Sequence, residues 1–450
     1  MKAVRSVYAV RRAGRQRQGN KGAIATYWRN DRGRGMPKNI VICCDGTGNQ
    51  IDSTISNVLK LYCILGKNAR QRVYYNPGIG TIGQKNAWQR FKQQTRGVFG
   101  LATGYGLDDD VLGAYRFLSQ AYEKGDMVWL FGFSRGAYTV RALAAFIHVI
   151  GLLPPDQLNL AGYAFTAFKR SSADSQRVNR TGQRSDPIDI GEPHRSTELE
   201  AAWHFSRVAG GKPIHIEFVG VWDTVASVIV PREDTFLPDL QTLRFTRTNS
   251  SVKTFRHAMA IDERRRMFRL NAWKEGQVYR PAPFKPDSDI PQDIRQVWFA
   301  GVHADVGGGY PEPESGLSKY PLLWMIEEAH AKGLLINRAM VNHLVLGHSR
   351  KGSHHSYVAP DATAKLHVSM TAGWKLLEWL PKKLKWQEYA QRGSLLGWYL
   401  PRAEPRTIPD GALIHRSVLE RIEQVPSYRP VNLPANYQVE ERPEIAAKAE

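Results

Sequence analysis

The chain has 450 residues, with 62 Lys plus Arg against 42 Asp plus Glu and a formal net charge of +20. Hydrophobic residues make up 42% and charged residues 23%, which excludes wholesale disorder and leaves ample material for a core. The most apolar stretch, Val140 to Leu153, carries Arg141 and His148, which argues against a membrane-spanning helix, and three cysteines make no disulfide framework.

Residues 1–35 form a basic arm with ten Lys or Arg and one acid, Asp31. The arm has no apolar core of a secretory signal, so the protein is expected to be cytoplasmic as synthesised. Because Met36 stands just before the first expected strand, the arm reads as a disordered tail or an upstream start, and nucleic acid is not the expected partner.

Asn39 to Cys44 is a short apolar run closed by Asp45-Gly46-Thr47-Gly48-Asn49, the pattern of a buried strand ending in a loop. Arg72 to Asn76 reads as a second strand. Asp108, Asp109 and Asp110 open a helix, where acids suit the positive end of its dipole. Met127 to Phe133 is a third strand running into a helix near Arg135. The polar stretch Lys169 to His194, within an insertion of about 155–210, reads as a loop and lid candidate. Ile214 to Trp222 and Ile294 to Val302 are two further buried strands, separated by helical patterns around Lys253 to Phe268 and Tyr320 to Gly333. Strands alternating with helices predict an α/β fold: a mostly parallel sheet, helices on both faces, and helical or loop insertions. The expected catalytic domain is 36–345, with 346–450 as a C-terminal cover segment.

Such sheets carry their chemistry beyond the C-terminal ends of the strands. Gly132-Phe133-Ser134-Arg135-Gly136 has the spacing G-x-S-x-G between an apolar strand and a helix, a turn that lifts a serine hydroxyl clear of the sheet. A serine needs a base and an acid to hold it. Asp223 directly follows one strand and His303 another, in the chain order this architecture requires, so Ser134, Asp223 and His303 are the expected triad. Backbone N–H groups of Arg135, Gly46 and Thr47 are the expected oxyanion donors. Rivals are His257, a base near Asp262 in a helical pattern, and Asp305, which could orient His303 or cap a turn. His354 and His355 read as a solvated pair. The D-G-T after the first strand is not a phosphatase signature, because Cys43 stands where a nucleophilic aspartate is required. No metal site and no cofactor are expected.

The segments CCDGTGNQ, YYNPGIGT, GLDDDVLGAYRFL, GFSRGAYTVRALA, VGVWDTVAS, FRHAMAIDERR and GVHADVGGGYPE together resemble the catalytic domain of the type VI secretion phospholipase effector-like α/β-hydrolases, over about Asn39 to Leu335. The resemblance implies an α/β-hydrolase fold and, as in the secreted effectors, phospholipase A activity. It carries the nucleophile onto Ser134 and opens the question of export by a type VI-like system.

Gly373 to Trp386 reads GWKLLEWLPKKLKW. Tryptophan favours the headgroup level of a bilayer and lysine pairs with anionic lipid, so Trp374, Trp379 and Trp386 are the expected membrane contacts, with a packed cover element as the alternative. The function expected is a serine esterase acting on glycerophospholipids, with small soluble esters or a non-catalytic basic binding module as the other readings. Oligomeric state, acyl chain and headgroup are not legible.

Overall fold

The run Asn39–Cys44 is buried at every position and forms β1. Its side chains split by the two-residue period of a strand: Ile40, Ile42 and Cys44 join one apolar cluster, Val41 and Cys43 another. A strand covered on both faces reads as a continuous apolar run, which is why it was legible. The computed structural model describes residues 36–46, 55–78, 106–178, 197–225, 229–232, 235–240, 243–265, 268–281, 288–383 and 393–441.

Seven further strands complete the sheet: β2 (Gln71–Asn76), β3 (Met127–Phe133), β4 (Ile216–Trp222), β5 (Val252–Ala260), β6 (Asp293–Phe299), β7 (Ala412–His415) and β8 (Tyr437–Glu440). Their spatial order is β8-β7-β6-β5-β4-β3-β1-β2, and every neighbouring pair is parallel. The chain therefore winds outward in both directions from β1, and the switch point lies between β1 and β3.

The helix α1 (Asn57–Ile64) packs on one face and α2 (Leu107–Ala121) on the other, because Val58 and Leu61 join the Val41 cluster while Val111 and Leu118 join the Ile40 cluster. The helix α3 (Arg135–Ile150) is buried almost all round, which explains its apolar run without a membrane. Its Arg141 is buried and donates to the carbonyls of Thr246 at 2.8 Å and Asn271 at 2.5 Å. No helix among the described residues is long and apolar enough to cross a membrane. Further helices are α4 (Ala161–Val178), α5 (Thr197–Val208), α6 (His303–Gly307), α7 (Lys319–Ala331), α8 (Arg338–Leu344), α9 (Ala372–Glu378) and α10 (Arg416–Gln424).

Three expectations need correction. The helical pattern around Lys253 to Phe268 is instead a strand as far as Ala260: Val252–Ala260 is central in the sheet, and its charged side chains find partners elsewhere, Lys253 on Glu217 at 2.8 Å and Arg256 on Glu328 at 2.5 Å. The Lys169 to His194 stretch is helical as far as Val178, and its remainder to 194 lies outside the described residues. Residues 346–450 do more than cover the sheet, since they supply β7 and β8; Ile414 and Val418 pack with Met259 and Trp298 in a third apolar cluster.

On α7, Glu327 is buried with neither carboxylate oxygen hydrogen-bonded, and burial pushes its pKa up to about 8 with help from the charge of Glu328. The raised folded-state value means its contribution to stability is present below the unfolded pKa of 4.5 and is lost as pH rises through about 8. Glu327→Gln is therefore expected to remove the decline in stability between pH 4.5 and about 8, a difference of about 1–2 kcal/mol once pH exceeds the folded-state value. Urea unfolding at acid and alkaline pH checks this; equal losses in both proteins would refute it.

Candidate active site

Ser134 leaves β3 with φ 55° and ψ −120°, a conformation that L-residues rarely hold, costing about 1–3 kcal/mol. The flanking glycines are what allow it. A Cβ on Gly136 would lie 2.1 Å from the Cys44 carbonyl oxygen, and one on Gly132 would lie 2.4 Å from that of Gly136. The first turn of α3 thus presses against the end of β1. The Ser134 N–H donates to the Trp222 carbonyl at 3.2 Å, fastening the turn to the end of β4, one residue before Asp223.

Asp223 is fully buried and also has positive φ, 35°. Its Oδ2 is 2.5 Å from His303 Nδ1. His303 opens α6 just beyond β6, and its backbone N–H donates to Glu263 Oε2 at 3.2 Å. Its ring lies between Phe133 and Phe268, with centroids 4.7 and 4.8 Å away. Phe133 is the residue before Ser134, so serine, aspartate and histidine are gathered at the ends of β3, β4 and β6. His303 Nε2 is buried and has no hydrogen-bond partner among the described residues. With Nδ1 bound to a carboxylate, Nε2 is the nitrogen left to accept a proton.

The electrostatics support a neutral resting imidazole. Burial pushes the His303 pKa down against the opposing pull of Asp223. Burial alone would raise the Asp223 pKa, but the Arg406 guanidinium and the His303 hydrogen bond outweigh it and hold the carboxyl far below its usual range. Arg406 bonds Asp223 through Nη1 to Oδ1 at 2.5 Å and Nη2 to Oδ2 at 3.1 Å. Sequence reasoning missed Arg406, which lies 183 positions from Asp223 in a loop with no periodicity. It also missed Phe268 and the Glu263–Arg265 pair, in which Nη2 and Oε2 are 2.8 Å apart.

The oxyanion expectation divides. Arg135 stands at the first position of α3, where helical N–H groups project beyond the helix end. The Gly46 N–H instead donates to Asp45 Oδ1 at 2.7 Å, because that buried carboxylate needs donors and also takes the hydroxyls of Ser56 at 2.5 Å and Tyr75 at 2.8 Å. Gly46 is thus committed to its own loop, and Thr47 lies outside the described residues.

The rivals are accounted for. His257 is buried on β5, not on a helix, and its Nε2 accepts the Thr224 N–H at 3.1 Å; burial holds its pKa at about 3. Asp305 turns away from His303, accepting the Val302 N–H at 3.0 Å and pairing with His367 Nδ1 at 2.6 Å. His354 and His355 are exposed. Of the tryptophans, Trp374 packs edge-on to Phe268 at 5.6 Å, Trp379 is 57% exposed, and Trp386 lies outside the described residues.

An all-parallel doubly wound sheet with these groups beyond its strand ends is an α/β-hydrolase-like architecture. The chain belongs to the type VI secretion phospholipase effector Tle1-like family: residues 38–328 match the catalytic domain of that family. It is 30% identical over 256 residues to the uncharacterized protein YEL023C of Saccharomyces cerevisiae, covering 55% of this chain and 34% of that protein. Among solved structures it is similar to an uncharacterized protein from Pseudomonas aeruginosa (20% identity, TM-score 0.34, 67% of this chain and 46% of that one). It is also similar to the Tle1 effector bound to the VgrG spike of the type 6 secretion system (19% identity, TM-score 0.33, 63% and 53%). The chain spans about a third of the yeast relative and about half of each of these structures.

Proposed function

We propose that this protein is a serine ester hydrolase whose substrates are acyl esters of glycerophospholipids. Ser134 attacks the ester carbonyl, His303 Nε2 takes its proton and later delivers it to the leaving alcohol, and Asp223 holds the imidazole through Nδ1. Backbone N–H groups in the first turn of α3, beginning at Arg135, receive the developing oxyanion. The observation that carries this reading is the buried Asp223–His303 pair, 2.5 Å apart, with Nε2 left unbonded beside the strained turn of Ser134. The hydrolase unit is proposed as residues 36–345, completed by strands from 346–450.

Lipid is favoured as substrate by the surface near α9. Leu376, Trp379 and Leu380 are 73%, 57% and 52% exposed, beside Lys375, and Trp374 of α9 packs on Phe268, whose ring in turn meets that of His303. Apolar side chains with lysine suit an anionic membrane surface. The combined Trp379→Ala, Leu380→Ala change is expected to lower vesicle hydrolysis roughly tenfold more than hydrolysis of a soluble ester. Equal effects on both would favour the small-ester reading, in which Trp374 and Phe268 simply roof the site.

The test of the reaction is fatty-acid release from mixed phospholipid vesicles with fluorophosphonate labelling in parallel, using the wild type and Ser134→Ala. Labelling and release that both vanish in the variant support the proposal. Labelling without release discards the lipid substrate, and folded wild-type protein showing neither signal discards the serine mechanism.

A further inference from the structure

Asp223 has two oxygens and four hydrogen-bond donors around them, from three residues. Oδ1 takes Arg406 Nη1 at 2.5 Å and the Ala260 N–H at 3.0 Å; Oδ2 takes His303 Nδ1 at 2.5 Å and Arg406 Nη2 at 3.1 Å. Arg406 is buried and also donates to the carbonyls of Ala260 at 3.0 Å and Phe268 at 2.6 Å. One guanidinium thus ties together the aspartate beyond β4, the end of β5 and the phenylalanine that covers the His303 ring. Arg406 lies beyond the family-matched stretch of 38–328.

We propose that Arg406 is a positioning residue that completes the reaction centre from the C-terminal segment, aiming Asp223 Oδ2 at His303 and sharing the aspartate's charge between the imidazole and a fixed cation. The proposal rests on the serine-hydrolase reading of the same site. Its physical basis is a competition. A carboxylate that already carries a fixed cation attracts an imidazolium less, so the histidine accepts its proton only at lower pH. The planar fork also fixes the carboxylate plane, which a point charge does not. The other charged groups facing His303 are Glu263 and Arg265 after β5, which are paired with each other, and Asp305 on its own helix, which is paired with His367. None of these contacts Asp223 Oδ2 with a second donor as Arg406 does.

The test is the pH dependence of the fluorophosphonate labelling rate constant for the full chain, in wild type, Arg406→Gln and Arg406→Lys, with Ser134→Ala as the blank. In Arg406→Gln the acid midpoint is expected to move up by about one pH unit, because the imidazolium regains the aspartate's whole charge. In Arg406→Lys the charge remains and the midpoint stays near that of the wild type, while the rate constant falls about tenfold because an ammonium cannot span both oxygens. A merely structural role would lower the labelled fraction and the thermal midpoint, leaving the rate constant and the pH midpoint of the surviving protein unchanged. That result, or a wild-type midpoint in Arg406→Gln, overturns the proposal. Should Arg406→Gln fail to fold, Arg406→Lys decides: a slowed rate supports it and a wild-type rate overturns it. Failure of the underlying reading is seen separately, as wild-type protein that is not labelled or Ser134→Ala labelled equally well.

Discussion

Replacing Ser134 by alanine is expected to reduce ester turnover by roughly 10⁴-fold or more, with no loss of folding, because nothing else at the turn supplies a nucleophile to His303. A companion change separates chemistry from strain. Alanine at φ 55° is as strained as serine, whereas glycine adopts that conformation freely. Ser134→Gly should therefore be just as inactive but about 1 kcal/mol more stable than Ser134→Ala. The measurements are fatty-acid release and the midpoint of urea unfolding on the same preparations. Turnover in Ser134→Ala within tenfold of wild type would remove the serine from the mechanism. Equal stability of the two variants would mean that the surroundings have relaxed the turn.

The site's layout was legible where a local rule governs a residue, and obscure where a distant partner does. The glycines around Ser134 were readable because the turn leaves no room for a Cβ, and Asp223 and His303 because each follows a short apolar run, FVGVW before Asp223 and VWFAGV before His303. Val252–Ala260 defeated the same logic: Lys253, Arg256 and His257 interrupt its apolar run, and their partners Glu217, Glu328 and the Thr224 N–H come from β4, α7 and the turn after Asp223. β7 and β8 have four residues each, too few to show a period, although they extend the sheet beyond β6. The hydrogen bond that Gly46 makes was obscure for a different reason. The glycine was noticed, but the demand of a buried Asp45 for donors was not, and that demand takes its N–H. Arg406 had no local signal at all, since only the folded chain brings it to Asp223.

Asp223→Asn is the most informative remaining substitution, because the surroundings dictate which way the amide faces. The Oδ1 position receives two donors that cannot change, Arg406 Nη1 and the Ala260 N–H, whereas Oδ2 receives one fixed donor, Arg406 Nη2, and His303, which can change tautomer; the asparagine oxygen is therefore expected at Oδ1. The amide nitrogen is left facing His303 Nδ1, where it donates instead of accepting. Nδ1 must then be unprotonated and the ring proton moves to Nε2, the atom that has to receive the serine proton. The wrong tautomer is fixed, and a fall in turnover on the order of 10⁴-fold is expected. Arg406 loses its counter-charge in the same step, which should cost about 3 kcal/mol of stability at neutral pH. The pH dependence identifies the cause. Because the folded-state pKa of Asp223 is depressed, its stabilisation is present above the unfolded value of 3.8 and is lost as pH falls through the folded one. The difference between wild type and Asp223→Asn should therefore hold steady from neutral pH down to the ordinary carboxylate range and narrow below it. Labelling rates and unfolding curves collected across that range test both halves. A variant that labels at the wild-type rate, or whose deficit in stability widens on acidification, would mean that Asp223 is not the charged group orienting His303.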